Sequence, residues 1–411
     1  MNLRRSAPAL VATVLFGLVA APVAHADDPP SSTPSPSASH PHGLFGTADP
    51  TYDGVFRQSY ALLAQHTVGV RPAASAIDWL TGQQCANGGF AAFRADPDRP
   101  CTEKTAPDSN STGAAVQALA ALGGHEAAVR KAVSWLASVQ NEDGGWGYQK
   151  GLPTDVNSTG LVVGALTAAD KDPAAQRSDK GKTPFDALVS LTLPCAKGGA
   201  FGLRDAKSGA LKADADATAA GVLGTVGTGV VVDPDRPAVS QTPRATCQDD
   251  DAEARRGATA NGAAYLRERL AKTPYLKATL PGVEDQPDYG NTADAAVALA
   301  AAGEPAVAKK AVTWLEQHAG DWARKTGPAG YATLIFAAHA TGVDPRHFGG
   351  TDLVSALNKT GPPPQRATGA ADPEDRDDGG DDNTVWWVTG ACLVAGVGGG
   401  LLLSTRTRRR S

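Results

Sequence analysis

Two kinds of apolar segment alternate along the chain. Segments of the first kind carry Trp and Leu on one side and charged residues on the other, as in KAVSWLASVQ at 131–140. Segments of the second kind are runs of Ala, Val, Leu and Gly with almost no charge, as in STGAAVQALAALG at 111–123. A helix that is apolar all round is buried, whereas an amphipathic helix covers a core with one face. The pattern therefore predicts inner helices that alternate with outer helices.

The alternation gives six helix pairs, two of them degenerate in sequence. The inner helices are predicted near residues 54–66, 110–122, 157–169, 216–228, 291–302 and 329–341. The outer helices are predicted near residues 72–83, 124–140, 184–193, 257–271, 304–318 and 347–358. Six inner helices within six outer ones predict an all-α fold, an (α/α)6 toroid of helix pairs. The irregular repeat spacing indicates inserted loops, mainly around 83–107 and 229–256.

Four inner helices share one starting motif, an Asp followed four positions later by a Thr. The motif begins at Asp108, Asp155, Asp214 and Asp288. An Asp at a helix start accepts backbone N–H groups, which stabilises the helix by about 1 kcal/mol. Parallel inner helices would bring these starts to one mouth, where polar side chains and helix-end N–H groups can also bind a ligand. Capping and ligand binding are both compatible with the motif.

The ligand-binding hypothesis concerns the residues in the first turns of the inner helices. The candidates are Asp108, Asn110, Thr112, Asp155, Asn157, Thr159, Asp214, Asp216, Thr218, Asp288, Tyr289, Asn291 and Tyr331. For the two tyrosines, the alternative is a position in the core or on the rim of the mouth.

The two ends of the chain have the composition of export and membrane segments. The predicted order is a signal peptide at 1–26, a Pro/Ser-rich linker at 27–49, the toroid at 50–360, an acidic linker at 361–384, a transmembrane helix at 385–403 and a basic tail at 404–411. The first segment has a positive start, an apolar stretch and an Ala-x-Ala cleavage site. The uncharged span is long enough to cross a bilayer, and the arginines after it favour the cytoplasmic side. We therefore expect an exported toroid with a single-pass anchor.

Charge and cysteine content narrow the function further. The formal net charge of −5 gives no general attraction to nucleic acid. Four cysteines lie between the linkers, at Cys85, Cys101, Cys195 and Cys247, an even number for an oxidising compartment. Their order favours the pairs Cys85–Cys101 and Cys195–Cys247, with two other connectivities open. No Cys-x-x-Cys or His-x-x-x-His spacing indicates a metal site.

One stretch carries a family resemblance. The pattern Lys131-Ala132-x-x-Trp135-Leu136-x-x-x-Gln140-x-x-x-Gly144-x-Trp146 resembles the QW repeat of squalene and hopene cyclases, and a second copy spans 75–90. The wider superfamily of α/α toroids includes terpenoid cyclases, protein prenyltransferases, thioester domains and cobalamin carriers, and similar exported actinobacterial proteins carry the label prenyltransferase/squalene oxidase repeat. We expect Gly144 or Gly145 to end the outer helix and Trp146 to pack back over it.

The catalytic motifs of that superfamily are incomplete. The nearest match to the acidic DxDD motif of the cyclases is Asp214–Ala217, which lacks the last carboxylate. Without further carboxyl neighbours, no Asp in it is expected to be held protonated and acidic enough to attack an alkene. A DDxxD match at 377–381 falls in the acidic linker, and the GCGEQ thioester sequence is absent. These observations favour a protein without catalytic activity.

The inner-helix starts at Asp108-x-x-x-Thr112-Gly113 and Asp155-x-x-x-Thr159-Gly160 also resemble those of cobalamin carriers. That resemblance implies a corrinoid as one ligand and a membrane transporter as a partner, with no cofactor otherwise. The favoured function is a membrane-anchored, non-catalytic ligand-binding protein. The alternatives are an exported isoprenoid enzyme and a structural domain of the cell envelope, which predicts no pocket.

Overall fold

The structure, a computed structural model, describes residues 41–102, 105–205, 207–235, 246–249, 254–279 and 284–366. These residues are mostly helical. The helices are α1 (Gly54–Thr67), α2 (Ala74–Gly82), α3 (Ser109–Leu122), α4 (Glu126–Ser138), α5 (Val156–Ala168), α6 (Pro184–Ser190), α7 (Ala215–Val226), α8 (Ala254–Lys272), α9 (Tyr289–Ala301), α10 (Pro305–His318), α11 (Gly320–Thr326), α12 (Pro328–Ala340) and α13 (Leu353–Asn358). Short 3-10 turns cover Cys195–Lys197 and Pro345–His347.

Six helices close into a ring. The helices α1, α3, α5, α7, α9 and α12 each contact the next in this order, and α12 contacts α1. Each of the six also contacts the outer helix that follows it in the chain. This arrangement is consistent with the predicted α/α toroid, and α11 is an additional short helix that the pattern did not predict.

Small residues let neighbouring inner helices approach closely. A Cβ on Gly160 of α5 would lie 2.5 Å from the carbonyl oxygen of Ala220 in α7, and a Cβ on Gly224 would lie 2.9 Å from the Cα of Gly160. Side chains on the same helices, such as Val163 and Val222, are fully buried. The uncharged Ala/Val/Leu/Gly sequence is therefore the sequence of helices that are covered on all sides.

The loop after α4 contains the glycines and the tryptophan of the pattern at 131–146. The prediction that Gly144 or Gly145 ends the outer helix was wrong, because α4 ends at Ser138. Gly144, with φ of 94°, instead lies so close to the next loop that a Cβ would be 2.2 Å from the carbonyl oxygen of Thr183. The prediction for Trp146 is confirmed: its ring is fully buried and its Nε1 donates to the carbonyl of Leu136, 2.8 Å away.

Two small antiparallel hairpins lead into inner helices. Strands β1 (Gly202–Arg204) and β2 (Leu211–Ala213) pair with Gly202 opposite Ala213, just before α7. Strands β3 (Leu276–Lys277) and β4 (Pro287–Asp288) pair with Leu276 opposite Asp288, just before α9. Their few residues did not give a strand pattern, so the all-α prediction missed them.

Two disulfides fix the longer loops, and both have the predicted pairing. Cys85 joins Cys101 with a Cα–Cα distance of 5.6 Å, and Cys195 joins Cys247 at 5.5 Å. Inside the first loop, the buried Arg94 donates to backbone carbonyls on both sides of it, including those of Gly82 and Arg99. The first pair therefore closes a loop that is also ordered from within.

The folded unit begins before residue 50. The described residues from Gly43 to 366 belong to one compact unit. Phe45 is fully buried, and the N–H of Gly46 donates to the carbonyl of Thr360 at 2.7 Å. Within the described ranges, no helix is long and apolar enough to cross a membrane. The predicted signal peptide, the transmembrane segment at 385–403 and the basic tail lie outside the described residues.

Candidate functional site

A cavity of about 200 Å³ lies inside the ring of inner helices. Five of the six inner helices line it, together with the segment that follows α7. The lining residues are Phe56, Tyr60, Asn110, Gln117, Asn157, Gly160, Leu161, Asp216, Ala220, Leu223, Thr228, Gly229, Val230 and Asp294. The cavity therefore lies where the sequence predicted a mouth, and it brings together residues from most of the repeats.

Asn110, Asn157 and Asp216 occupy equivalent places in three repeats. Each follows a capping Asp by two residues, in the first turn of α3, α5 or α7. The Nδ2 of Asn157 donates to Oδ2 of Asp216 at 2.7 Å, which joins two neighbouring helix starts. The side-chain carbonyl oxygens of Asn110 and Asn157 are buried and have no hydrogen-bond partner among the described residues. The first turns of α3 and α5 thus present acceptor oxygens that no described residue uses.

In the fourth repeat that has the Asp motif, which begins with α9, the acid that lines the cavity lies about one turn further along the helix. Gly290 takes the position two residues after Asp288, and Asp294 lies four residues further along α9, which is about one helical turn. Asp294 lies deep in the protein, and the accessible part of its side chain faces the cavity. Burial raises the pKa of Asp294 to about 8, and the charges of Asp216 and Asp288 act in the same direction. The carboxyl is therefore mostly protonated at neutral pH.

Asp216 is also affected by carboxyls from other helices. Burial raises its pKa, the hydrogen bond from Asn157 opposes this, and Asp214, Asp288 and Asp155 raise it further. The expectation that Asp216 lacks carboxyl neighbours was wrong. Closure of the ring supplies them from separate repeats, and a linear motif does not show this.

Aromatic rings form another part of the wall. The rings of Phe56 and Tyr60, both on α1, lie with centroids 4.3 Å apart, and Tyr60 meets Phe336 of α12 edge-on at 5.4 Å. Burial raises the pKa of Tyr60 above its ordinary value, and Asp294 and Asp216 add to this effect. The phenol therefore stays neutral and adds an aromatic face to a cavity that holds two carboxyls.

The segment after α7 closes the cavity at the end where that helix stops. A Cβ on Gly164 of α5 would lie 2.8 Å from the Cα of Gly229, and one on Gly229 would lie 2.2 Å from Oε1 of Gln117. The amide of Gln117 contacts the backbone on both sides, accepting from Val230 N–H and donating to the carbonyl of Leu161, both at 3.4 Å. The cavity therefore has a closed floor.

The four capping aspartates are engaged with their own helices. Asp108, Asp155, Asp214 and Asp288 accept the N–H of Ser111, Ser158, Ala217 and Asn291 at 2.6, 2.7, 2.8 and 3.0 Å. Burial raises the pKa of Asp108 to about 6 and also raises that of Asp155. The capping role is confirmed, and none of the four lines the cavity.

The threonines of the motif fasten the preceding loops. The Oγ1 atoms of Thr112, Thr159 and Thr218 accept the backbone N–H of Phe90, Trp146 and Phe201 at 2.9, 3.0 and 3.2 Å. Thr292 accepts the N–H of Leu276 in the same way at 2.9 Å. All four side chains are fully buried. In these four repeats, the Thr thus ties the chain after an outer helix to the start of the next inner helix.

Three remaining candidates lie away from the cavity. Asn291 donates to Oδ2 of Asp288 at 2.9 Å. Tyr289 stacks between Trp314 and Trp322, with centroid distances of 5.4 and 5.9 Å, and Tyr331 is a half-buried residue of α12. Of the predicted ligand-binding residues, Asn110, Asn157 and Asp216 line the cavity.

Sequence reasoning missed Asp294, Tyr60 and Gln117. Asp294 did leave a signal, since it is a single carboxylate inside the apolar run TADAAVALAAAG. An acidic residue in an otherwise apolar, buried helix is costly, so it indicates a position where the surrounding structure must provide a polar environment.

The described ranges contain one group of three possible metal ligands, Cys195, Cys247 and Asp249. The two sulfurs are joined in a disulfide, and Oδ1 of Asp249 accepts the N–H of Cys195 at 2.9 Å. A disulfide sulfur is not the thiolate that binds metal. This group therefore gives no metal centre.

Residues 109–180, which run from α3 past α5, match the family model of the squalene-hopene cyclase C-terminal domain. The match includes the stretch at 131–146 and confirms its resemblance to the squalene-hopene cyclases. A crystal structure of a protein from Actinoplanes is similar over 73% of this chain and 93% of that chain, with 16% sequence identity and a TM-score of 0.46. No curated protein matches the chain. The resemblance to cobalamin carriers finds no support in these matches.

Proposed function

We propose that this protein is an exported, membrane-anchored binding protein in which a complete (α/α)6 toroid offers its central cavity to a small molecule. The observation that carries the proposal is the cavity itself, with polar groups that have no hydrogen-bond partner among the described residues. The signal peptide and the transmembrane helix predicted from the sequence place this cavity outside the cell, where a membrane transporter would be the partner that receives the ligand.

The size of the cavity bears on the ligand. A volume of about 200 Å³ is below the roughly 300–1,000 Å³ that is typical of sites for drug-sized ligands. A corrinoid is larger than such ligands, so it would have to bind at the mouth with most of its surface outside. A molecule of a few to about ten heavy atoms fits the interior better.

A second candidate function is an exported isoprenoid enzyme. It is favoured by Asp294, because a protonated carboxyl beside aromatic rings can act as a general acid. The cavity volume argues against a long prenyl chain within it. The third alternative, a structural domain, requires a ring filled by side chains, which the cavity disfavours.

The test compares the full-length protein in detergent micelles with the variant Ala220→Leu. Ala220 lines the cavity, and a Leu adds apolar volume there without changing any charge. Saturation-transfer NMR against a panel of neutral, cationic and anionic fragments should give signals for the wild type that the variant loses. Cobalamin and prenyl diphosphates complete the panel.

The outcomes separate the alternatives. Fragment signals that are equal in both proteins would place binding outside the cavity and contradict the proposal. Formation of product from a prenyl diphosphate would favour the enzyme. Absence of every signal would favour the structural domain.

A further inference from the structure

The acidic groups of the cavity have no counter-charge. Asp216 and Asp294 reach it from α7 and α9, and no Lys, Arg or His lies among its lining residues in the part of the chain that the structure describes. Asp216 accepts one hydrogen bond, from Asn157, and Asp294 makes no hydrogen bond or ion pair with any described residue. Burying a carboxylate without a partner is strongly unfavourable, so Asp294 holds a proton while the cavity is empty, and a bound cation would take the place of that proton. The described lining of the cavity therefore lacks a positively charged group.

The side-chain amides of Asn157 and Asn110 have carbonyl oxygens that accept no hydrogen bond from any described residue. Because Asn157 uses its Nδ2 to reach Asp216, the orientation of its amide is fixed, and its carbonyl oxygen stays without a partner. The buried carbonyl oxygen of Asn110, at the equivalent position of the adjacent repeat, is also unpartnered. Gln117 has both amide atoms engaged with backbone groups. The unused polar atoms near the two carboxyls are thus acceptors, which require a ligand that donates.

The aromatic wall favours a particular kind of donor. Phe56 and Tyr60 line the cavity together with the two acids, and the charges of Asp216 and Asp294 act on the phenol of Tyr60. An aromatic face attracts a cation within about 6 Å of its centroid, and this attraction is strongest when the cation is desolvated. Carboxyls and aromatic rings together form the usual environment for an ammonium group.

A metal ion fits less well than an organic cation. Divalent ions such as Ca²⁺ take about six to eight oxygen ligands at short range. Over the described ranges, Asp216 and Asp294 belong to no group of three His, Cys, Asp or Glu side chains whose ligand atoms are close enough to share an ion. The cavity also has the volume of a small molecule rather than of a single ion.

We propose that the ligand of this cavity is a small organic cation, an amine or a quaternary ammonium compound, bound by Asp294 and Asp216 against the rings of Tyr60 and Phe56. This inference rests on the proposed function, since it names the ligand class of the same site. The cation supplies the missing positive charge, and an amine in addition donates to the acceptors of the first turns.

The test uses a pair of probes with the same shape and different charge. Choline and its neutral carbon analogue 3,3-dimethylbutan-1-ol are titrated by NMR into the full-length protein in detergent micelles. We expect choline to bind at least about tenfold more tightly, a factor that corresponds to about 1.4 kcal/mol. Asp294→Asn should remove that preference while leaving the affinity for the alcohol within about twofold.

Two variants and one ion serve as controls. Asp78→Asn removes the same charge from an exposed position on α2 and should leave the preference intact. Asp216→Asn should weaken choline binding independently, so the test does not depend on the folding of one variant. Mg²⁺ at millimolar concentration should not compete with choline.

The results distinguish this inference from the proposed function. Equal affinity for choline and the alcohol, lost in Ala220→Leu, would overturn the cation and leave a binding cavity. Competition by Mg²⁺ would overturn the organic cation in favour of a metal site. Failure of both probes to bind would also overturn the inference, and the fragment panel would then decide separately whether the cavity binds any molecule.

Discussion

The four capping aspartates and Asp294 behave differently, although Asp288 caps the same helix and lies six residues before Asp294, less than two helical turns away. The capping set, Asp108, Asp155, Asp214 and Asp288, each accepts a backbone N–H from its own helix. Asp294, in the cavity, accepts none. An aspartate therefore stabilises a helix start in the capping set, whereas the aspartate of the cavity has no hydrogen-bond partner among the described residues. The difference lies in the hydrogen-bond partners and not in the residue or the helix.

The largest expected effect comes from Asp294→Asn. The pKa of this carboxyl is about 8 in the folded protein against an ordinary value of 3.8, so the folded state binds the proton more tightly. Stability should therefore fall as the pH rises from about 4 to about 8, and at about 1.4 kcal/mol per pKa unit the full loss above pH 8 is on the order of 6 kcal/mol. The amide removes this dependence, so the variant should be more stable than the wild type at pH 9 and similar at pH 4.

Urea denaturation at both pH values measures this effect. Burial also raises the pKa of Asp216, Asp108 and Asp155, which remain in the variant, so some pH dependence is expected to persist. Identical pH profiles for the two proteins would show that Asp294 is already compensated within the fold.

Thr159→Val tests a position where the polar group is fully used. The hydroxyl accepts the N–H of Trp146 and donates to its carbonyl, inside the protein. The change leaves the N–H of Trp146 buried without a partner, whereas its carbonyl still accepts the N–H of Asp155 at 3.0 Å. The free energy of unfolding should therefore fall by about 1–3 kcal/mol. A thermal unfolding curve like that of the wild type would contradict this role.

Asp155→Ala tests the capping set directly. Its carboxylate accepts from Ser158 N–H and from the Ser158 hydroxyl, at 2.7 and 2.9 Å. We expect a loss of about 1 kcal/mol, as for other helix caps. This residue does not line the cavity, although its charge acts on Asp216. Choline affinity should therefore fall much less than in Asp216→Asn, and an equally large loss would show that Asp155 belongs to the binding site.

The smallest effect is expected for Asn110→Ala. The carbonyl oxygen of this side chain has no partner, so its removal should change stability by no more than about 0.5 kcal/mol in either direction. The same change should weaken the binding of an amine donor such as butylammonium. A clear destabilisation, measured by urea titration without ligand, would indicate that Asn110 supports the fold instead.

Much of the fold could be predicted from sequence because the signals are local. The uncharged runs predicted α5 at 157–169, and the helix is Val156–Ala168. The Asp that precedes each run predicted the caps, and all four are present. Helix ends were less certain: the glycines after α4 mark a tight turn and a close approach, and the helix stops earlier, at Ser138.

The cavity could be predicted only in part, because it depends on how the ring closes. Asn110, Asn157 and Asp216 follow the motif and were found with it. Asp294 and Tyr60 come from α9 and α1, which are far apart in the chain, and no linear pattern places them in one wall. The carboxyl neighbours of Asp216 were missed for the same reason.

Contact between α12 and α1 has a consequence for how the molecule unfolds. An open array of helix pairs has terminal repeats with one neighbour, and these fray before the rest. Here every inner helix has two neighbours, and the first and last parts of the unit are joined by the hydrogen bond from Gly46 to Thr360. If one helix pair unfolds, the faces of the two adjacent pairs that packed against it become exposed. Loss of one pair therefore removes support from the whole ring, and the unit should melt in a single cooperative step rather than repeat by repeat.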